Sequence, residues 1–209
     1  MSYGFLEIAM TPRVKAAQSK MGVEHLWQNF KGHRAFDRFS LDEAAFIAER
    51  DSFYMATVSE TGWPYIQHRG GPVGFLKMID ERTLAFADFK GNLQYISTGN
   101  LAGDDRACLF LMDYPRKARL KVYVRVQGLA VDEDPGLTQL VVDSAYKGKV
   151  ERIFRMRLES FDWNCPQHIT PRFTEQEMAA AIRPLRQRLE ELGAENAALR
   201  ARLANEGAF

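Results

Sequence analysis

Between Phe53 and Leu158 the chain repeats one local pattern: a short run of β-forming residues, a tight-turn signal, then another run. Phe53 to Ser59, the turn Glu60-Thr61-Gly62 and the extended stretch Trp63 to His68 predict a hairpin. Phe75 to Ile79, the turn Asp80-Glu81-Arg82 and Thr83 to Ala87 predict a second one. Ala107 to Met112 is a continuous apolar run, expected as a fully buried strand. Leu120 to Val131 alternates polar with apolar residues (Lys121, Val122, Tyr123, Val124, Arg125, Val126), the mark of a long strand with one wet face. Arg152 to Leu158 alternates in the same way. About six strands with short turns, and no β-helix-β repeat, favour an antiparallel barrel over a parallel α/β sheet.

Helices flank this region. Residues 1–50 read as a helical segment packed on the barrel, residues 51–173 as the barrel, and residues 174–209 as a separate amphipathic helix. Ser40 is expected to cap a helix, with Glu43 completing a capping box and Leu41, Ala44, Ala45 and Ala48 forming its apolar face. Two further helices are expected, one from about Asn92 to Leu101 and one from about Pro135 to Tyr146. At the C-terminus, Thr174 and Glu177 form a second capping box. Beyond it Ile182, Leu185, Leu189, Leu192, Asn196, Leu199 and Leu203 are spaced alternately three and four apart. That is an a/d heptad seam with one Asn at an a position, a device that fixes register and favours two parallel strands. The alternative is an amphipathic helix folded back on its own barrel. Gly193 and Pro184 both weaken the helix.

Composition removes several classes of function. Of 209 residues, 28 are Lys or Arg and 27 are Asp or Glu, a balance that gives no general attraction to nucleic acid or to an anionic membrane. The two cysteines, Cys108 and Cys165, form neither a disulfide framework nor a metal-ligand spacing, so no metal is expected. No stretch approaches the ~20 apolar residues of a membrane span. The N-terminus, with Glu7, Arg13 and Lys15, lacks a signal-peptide pattern, and the cytoplasm is the expected location.

Two stretches carry chemistry. In Gln67-His68-Arg69-Gly70-Gly71-Pro72, two glycines beside an arginine suit a close approach of backbone and fixed cation to an anionic ligand. The bland alternative is a loop with a surface arginine. In Ala87-Asp88-Phe89-Lys90-Gly91-Asn92-Leu93-Gln94, a strand ends, a tight turn follows and a helix is expected to begin near Asn92. A helix N-terminus presents unpaired N–H groups and a positive dipole end to a phosphate, Lys90 adds a charge, and Asn92 can cap the helix or donate to the ligand. His68 and His168 read as structural hydrogen-bonding groups, and Cys165, with no second cysteine or evident base nearby, as packing.

In this order, Gln67-His68-Arg69-Gly70-Gly71, Gly74-Phe75-Leu76-Lys77, Phe86-Ala87-Asp88, Gly91-Asn92 and Asn100-Leu101 resemble the FMN-binding split-barrel proteins related to pyridoxamine 5'-phosphate oxidase. The likeness continues through Leu109 to Pro115 and Arg119 to Val122, and closes on Trp163-Asn164-Cys165-Pro166-Gln167-His168-Ile169-Thr170-Pro171-Arg172. The resemblance implies a mainly β (α+β) fold: a six-stranded antiparallel Greek-key split barrel with flanking helices, paired into a homodimer that holds FMN between subunits. It implies that Arg69, Lys77 and Lys90 contact the phosphate or ribityl chain, and that Gly70, Ala87, Asp88, Asn92 and Gln94 line the same site. Arg119 would reach the flavin of the partner subunit, and Trp163 would lie near the isoalloxazine edge. Leu93 departs from the pattern, because relatives often carry an arginine there, so Lys90 or Arg69 has to compensate.

The activity so implied is oxidoreduction of a small organic substrate, with flavin as electron carrier and the protein supplying position and electrostatics. No glycine-rich nicotinamide fingerprint is present, so a nicotinamide donor would bind on the exposed flavin face. The segment after Arg152 does not resemble the substrate-binding end of pyridoxamine 5'-phosphate oxidase itself. The alternatives are a flavin-storage module without turnover and a dimeric scaffold that has lost FMN.

Overall fold

The computed structural model describes residues 4–28, 37–163 and 167–206, with the side chains of 204–206 excepted. The chain divides into two compact units, one of residues 1–113 and 117–169, the other of residues 114–116 and 170–209.

The first unit is built on seven strands rather than six: β1 (Ser52–Val58), β2 (Pro64–Gly70), β3 (Lys77–Asp80), β4 (Thr83–Phe89), β5 (Arg106–Asp113), β6 (Ala118–Leu129) and β7 (Val150–Trp163). They form one sheet in the order β2-β1-β5-β6-β7-β4-β3, and every pairing is antiparallel. The fold is therefore a mainly antiparallel sheet with flanking helices, of the split-barrel kind. β1 and β2 form the first predicted hairpin, in which Ser52 to Val58 pair with Gly70 to Pro64. In β6 the inward residues Leu120, Val122, Val124 and Val126 are buried, while Lys121, Tyr123 and Arg125 face out.

Several details differ from the sequence expectation. β5 is buried on one face only: Ala107, Leu109 and Leu111 are inside, but Cys108, Phe110 and Met112 are half-buried. β3 starts at Lys77, because Phe75 and Leu76 instead turn into the core after Gly74. Gly74 has φ +73°, and a Cβ there would lie 2.9 Å from the Ala48 carbonyl oxygen, so this turn requires glycine. The third helix expected from the pattern ends early, at Val141, where Val142 turns extended and Asp143 accepts from the Ala145 N–H. The one near Asn92 begins later, as described below.

β4 is buried on both faces, because one covers the barrel interior and the other lies under a helix, α6 (Pro135–Val141). The inner set includes Leu84 and Phe86 in the main core; the outer set, Ala85 and Ala87, packs with Leu129, Leu137, Val141 and Ile153.

Three short N-terminal helices, α1 (Gly4–Ala9), α2 (Pro12–Lys20) and α3 (His25–Gln28), precede α4 (Leu41–Ala48). α4 has the predicted capping box, Glu43 accepting from the Ser40 N–H and hydroxyl at 2.9 and 2.6 Å. Its buried face is not the predicted one. Leu41 is 86% exposed and Ala45 and Ala48 are exposed, whereas Glu43, Phe46 and Ile47 are buried. The larger apolar areas of Phe46 and Ile47 outweigh those of three alanines, and they set the orientation. Arg50 anchors the end of α4 by pairing with buried Asp113 at 2.9 Å and lying over the Phe46 ring.

The sheet curls until strands from its two ends meet. Phe53 of β1 lies edge-on to Phe86 of β4 at 5.3 Å, and Phe75 and Phe154 complete the cluster. Since β1 and β4 are not paired by backbone hydrogen bonds, aromatic packing closes the barrel at this split. Phe86→Ala is expected to cost about 3–5 kcal/mol, as large-to-small changes in well-packed cores do. Urea unfolding of the variant against the native chain measures it; a loss below about 1 kcal/mol would mean that Phe86 does not close the barrel.

In the second unit a single helix, α7 (Glu175–Glu206), is capped by Thr174 and Glu177 as predicted, with the Thr174 N–H donating to Glu177 at 2.7 Å.

Candidate functional site

The curl that joins β1 to β4 also brings Arg69, near the end of β2, against Asp88, near the end of β4. Arg69 Nη1 donates to Asp88 Oδ1 at 2.5 Å, and both side chains are nearly buried. The antiparallel register of β4 and β7 places Arg152 directly across from Asp88. Its Nε lies 3.4 Å from the second carboxylate oxygen. One carboxylate thus holds two guanidiniums. Burial raises the Asp88 carboxyl above its ordinary value, against the pull of Arg69 and Arg152. Burial likewise lowers the Arg69 guanidinium, against the pull of Asp88. Desolvation outweighs attraction on both partners, which is expected when charges leave water with few other hydrogen bonds. Arg69 Nε is buried without a hydrogen-bond partner, an open donor at the heart of the cluster.

A pocket opens on the Arg69–Asp88 side of this cluster, lined by Tyr65, Gln67 and Arg69 of β2, Asp88 and Phe89, Glu151 and the segment from Gly91 to Thr98; Arg152 stands behind this lining. That segment leads into α5 (Ile96–Gly103). The helix does not begin at Asn92, because two residues before it take left-handed backbone, Leu93 at φ 65° and Tyr95 at φ 53°. Asn92 closes a local turn instead, its Oδ1 accepting from the Gln94 N–H at 3.1 Å. Tyr95 is the N-terminal boundary residue of α5, and no side chain caps the helix. The first-turn N–H groups therefore keep hydrogen-bonding capacity and a positive dipole end at the pocket. α5 is tied down by Ser97 donating to Gln67 at 2.9 Å and by buried Asn100 donating to Thr57 at 3.0 Å. Arg152 braces it by donating to Thr98 at 2.8 Å and lying 5.0 Å from the Tyr95 ring centroid.

Of the residues singled out in the sequence, Arg69, Asp88, Asn92 and Gln94 line this pocket. Lys90 is exposed and does not itself line the pocket, although its sequence neighbours Phe89 and Gly91 do; its N–H is bonded to the Lys149 carbonyl. Ala87 is buried under α6, on the face of β4 opposite Asp88. Gly70 ends β2, and a Cβ there would meet the His68 ring at 3.1 Å. At Gly71 a Cβ would lie 2.7 Å from the Phe75 ring, so this glycine makes room for a core side chain rather than for a ligand. Lys77 is exposed on β3, opposite Ala85. Arg119 lies on β6 over the Phe110 ring, with its Nε buried and without a hydrogen-bond partner. Trp163, at the end of β7, donates from Nε1 to buried Glu43 at 2.6 Å and packs edge-on against Phe46. Lys77, Arg119 and Trp163 do not line the pocket at Arg69. His68 is exposed and packs on Tyr54, His168 is exposed, and Cys165 lies outside the described residues. Arg152 and Glu151 were not among the sequence candidates. Only the register of β4 against β7 reveals them, since the alternating pattern alone places an arginine on a strand without naming its neighbour.

The model of the family described as Pyridoxamine 5'-phosphate oxidase matches residues 42–159, more than half of the chain, and the chain belongs to that family. No curated protein matches. Among solved structures, the chain is similar to an FMN-binding protein from Syntrophomonas wolfei at 17% identity, covering 72% of this chain and 96% of that one, with TM-score 0.46. It is also similar to the HupZ protein of Group A Streptococcus, at 12% identity, 65% and 100% coverage and TM-score 0.49. A FAD-binding protein from Mesorhizobium loti aligns at 13% identity, 60% and 94% coverage and TM-score 0.45.

The Trp163 contact ties β7 to α4 through a charged acceptor. Trp163→Phe keeps an aromatic ring but removes the donor and one ring of the indole, so it is expected to cost at least about 1.5–3 kcal/mol, the range for a bond to a charged group. Urea unfolding measures it, and a midpoint shift without a change in slope identifies a loss of native-state stability.

Proposed function

We propose that the chain holds FMN at the Arg69 pocket as a homodimer and uses it to oxidise or reduce a small organic substrate. The observation that carries this reading is the buried pair of guanidiniums, Arg69 and Arg152, fixed by one carboxylate beside an uncapped helix start. Membership of the pyridoxamine 5'-phosphate oxidase family supports it, as do the flavins named for solved proteins of similar fold.

The residues present fit a phosphate. Arg69 has an unused buried donor, the first turn of α5 lacks a side-chain cap, and exposed Lys90 lies between the lining residues Phe89 and Gly91 in sequence. Asp88 and Glu151 already balance much of the charge of the two arginines. The positive excess that attracts a dianion therefore comes from Lys90 and the dipole of α5. In this reading Asp88 orients both guanidiniums, and Asn92 and Gln94 shape the mouth. Arg119, with its own unused buried donor, serves the flavin of the second subunit. Lys77 and Trp163 receive no role in gripping the phosphate. FMN, when bound, supplies the two-electron carrier, and the protein holds it in place and excludes water from one of its faces.

A second reading, a barrel that no longer holds flavin, is favoured by one observation. Leu93 puts an apolar, 52% exposed side chain at the pocket mouth, where relatives often carry arginine.

The purified chain is expected to be yellow, with flavin absorbance near one FMN per chain, bleaching with a reduced nicotinamide and recovering in air. Arg69→Ala, Lys90→Ala and Arg152→Gln are each expected to weaken FMN affinity by about 10–100-fold, the loss of one charge-assisted contact. Riboflavin, which lacks the phosphate, should lose far less. Isothermal titration of both ligands measures this. A colourless chain that takes up no added FMN would favour the second reading, and equal losses for FMN and riboflavin would remove the phosphate assignment alone.

A further inference from the structure

We infer that α7 pairs with α7 of a second copy of this chain as a parallel, in-register, two-stranded coiled coil. The inference does not rest on the flavin reading, and α7 lies outside the family match, which ends at residue 159. The helix runs for 32 residues. Its seam places Ile182, Leu189, Asn196 and Leu203 at a positions and Leu185, Leu192 and Leu199 at d positions. These leucines are exposed in the single chain: Leu185 and Leu189 by 65% and 68%, Leu192 and Leu199 by 44% and 50%, and Leu203 by 68%. A continuous apolar stripe of this length on a water-facing helix is stabilised by burial against a matching stripe. The 3-4 spacing is the one for which the matching stripe is another such helix.

Asn196 selects the partner and its direction. In a parallel pair in register, each Asn196 faces the other, and the two amides can hydrogen-bond across the seam. In an antiparallel pair, a residues face d residues, so Asn196 would meet Leu or Met178 and bury its amide without a partner, which is costly. A shifted parallel register has the same defect. The flanking charges agree: at a g position Glu195 faces Arg200 at the e′ position of the second helix, and by symmetry this attraction occurs twice. Of the other g residues, Ala181 and Arg188 face Arg186 and Gly193, and neither is a like-charged pair. Within each helix, Arg188 and Gln187 bond Glu191 at 3.0 and 3.3 Å, and Gln187 and Glu191 occupy the outward f and c positions.

Disulfide trapping in the full chain tests this. With Cys108→Ser and Cys165→Ser removing the native thiols, Leu192→Cys is introduced at the d position and Ala194→Cys, separately, at the outward f position. Under mild oxidation Leu192→Cys is expected to run as a covalent dimer, while Ala194→Cys stays as single chains. Adding Leu189→Glu and Leu199→Glu to Leu192→Cys should abolish the link, with near-UV circular dichroism of the barrel unchanged. If Leu192→Cys links no better than Ala194→Cys, or still links with both glutamates in place, the parallel seam is wrong. The first result would overturn the seam even if sedimentation showed a dimer, because the barrels would then be pairing without α7.

Discussion

One constraint governs the rest of the structure: the sheet closes on itself without a hydrogen-bonded seam between β1 or β2 and β4. Side chains must do what backbone pairing does in a fully closed barrel. Two sets of them meet across the split. Inside, Phe53, Phe75, Phe86 and Phe154 interlock as edge-on, tilted and stacked rings, geometries common among packed aromatic pairs. At the end of the same split, Arg69 reaches Asp88. The apolar set is non-directional and sets the curvature. The charged set fixes which residue of β2 stands opposite which residue of β4. The pocket exists where the first set gives way to the second.

The charged set is not there for stability alone. Removing charges from water is costly, and burial shifts Asp88 and Arg69 in the directions that oppose their charged forms. Apolar residues of similar volume often stabilise such a position as well or better. What they could not do is hold two guanidiniums in fixed orientation beside a helix start, or leave a buried arginine donor open. Compare Arg50 and Asp113, also nearly buried, where the guanidinium is used fully: it bonds the Phe46 and Met112 carbonyls and lies over the Phe46 ring. That pair fastens α4 to the barrel. The Arg69 cluster has donors left over, and that difference separates a fastening from a binding site.

How much of this is legible in the sequence follows from the range of the interactions. The hairpins, β6 and both capping boxes depend on neighbours within a few residues, and the sequence shows them. β3 is short and at the sheet edge, and its first apolar residues are claimed by the core, so its boundary at Lys77 depends on Gly74 and Ala48. The buried face of α4 is misread because periodicity counts residues, whereas Phe46 and Ile47 win by area. Arg69 and Asp88 are legible as motifs, but their pairing spans the split and rests on the curl. Arg152 is invisible until β4 and β7 are in register. Trp163 carries a motif residue's conspicuousness, yet its partner is the capping carboxylate of α4, 120 residues earlier in the chain.

The start of α5 shows why local propensity fails at such a site. A helix from Asn92 would have put ordinary backbone at Leu93 and Tyr95; instead both sit at positive φ, each at a cost of order 1–3 kcal/mol. Such backbone persists only where surrounding contacts over-determine it. Here Asn92 closes the turn on Gln94, Tyr95 donates to Glu151 at 3.1 Å, and Arg152 lies over the Tyr95 ring. The same Arg152 faces Asp88, so the strained loop and the buried ion cluster are held by one side chain. The strain delays the helix by four residues and brings its free N–H end to the arginines rather than to the rim. A relaxed loop with the helix begun at Asn92 would place that end elsewhere, and the arginines would then have no second electropositive element beside them.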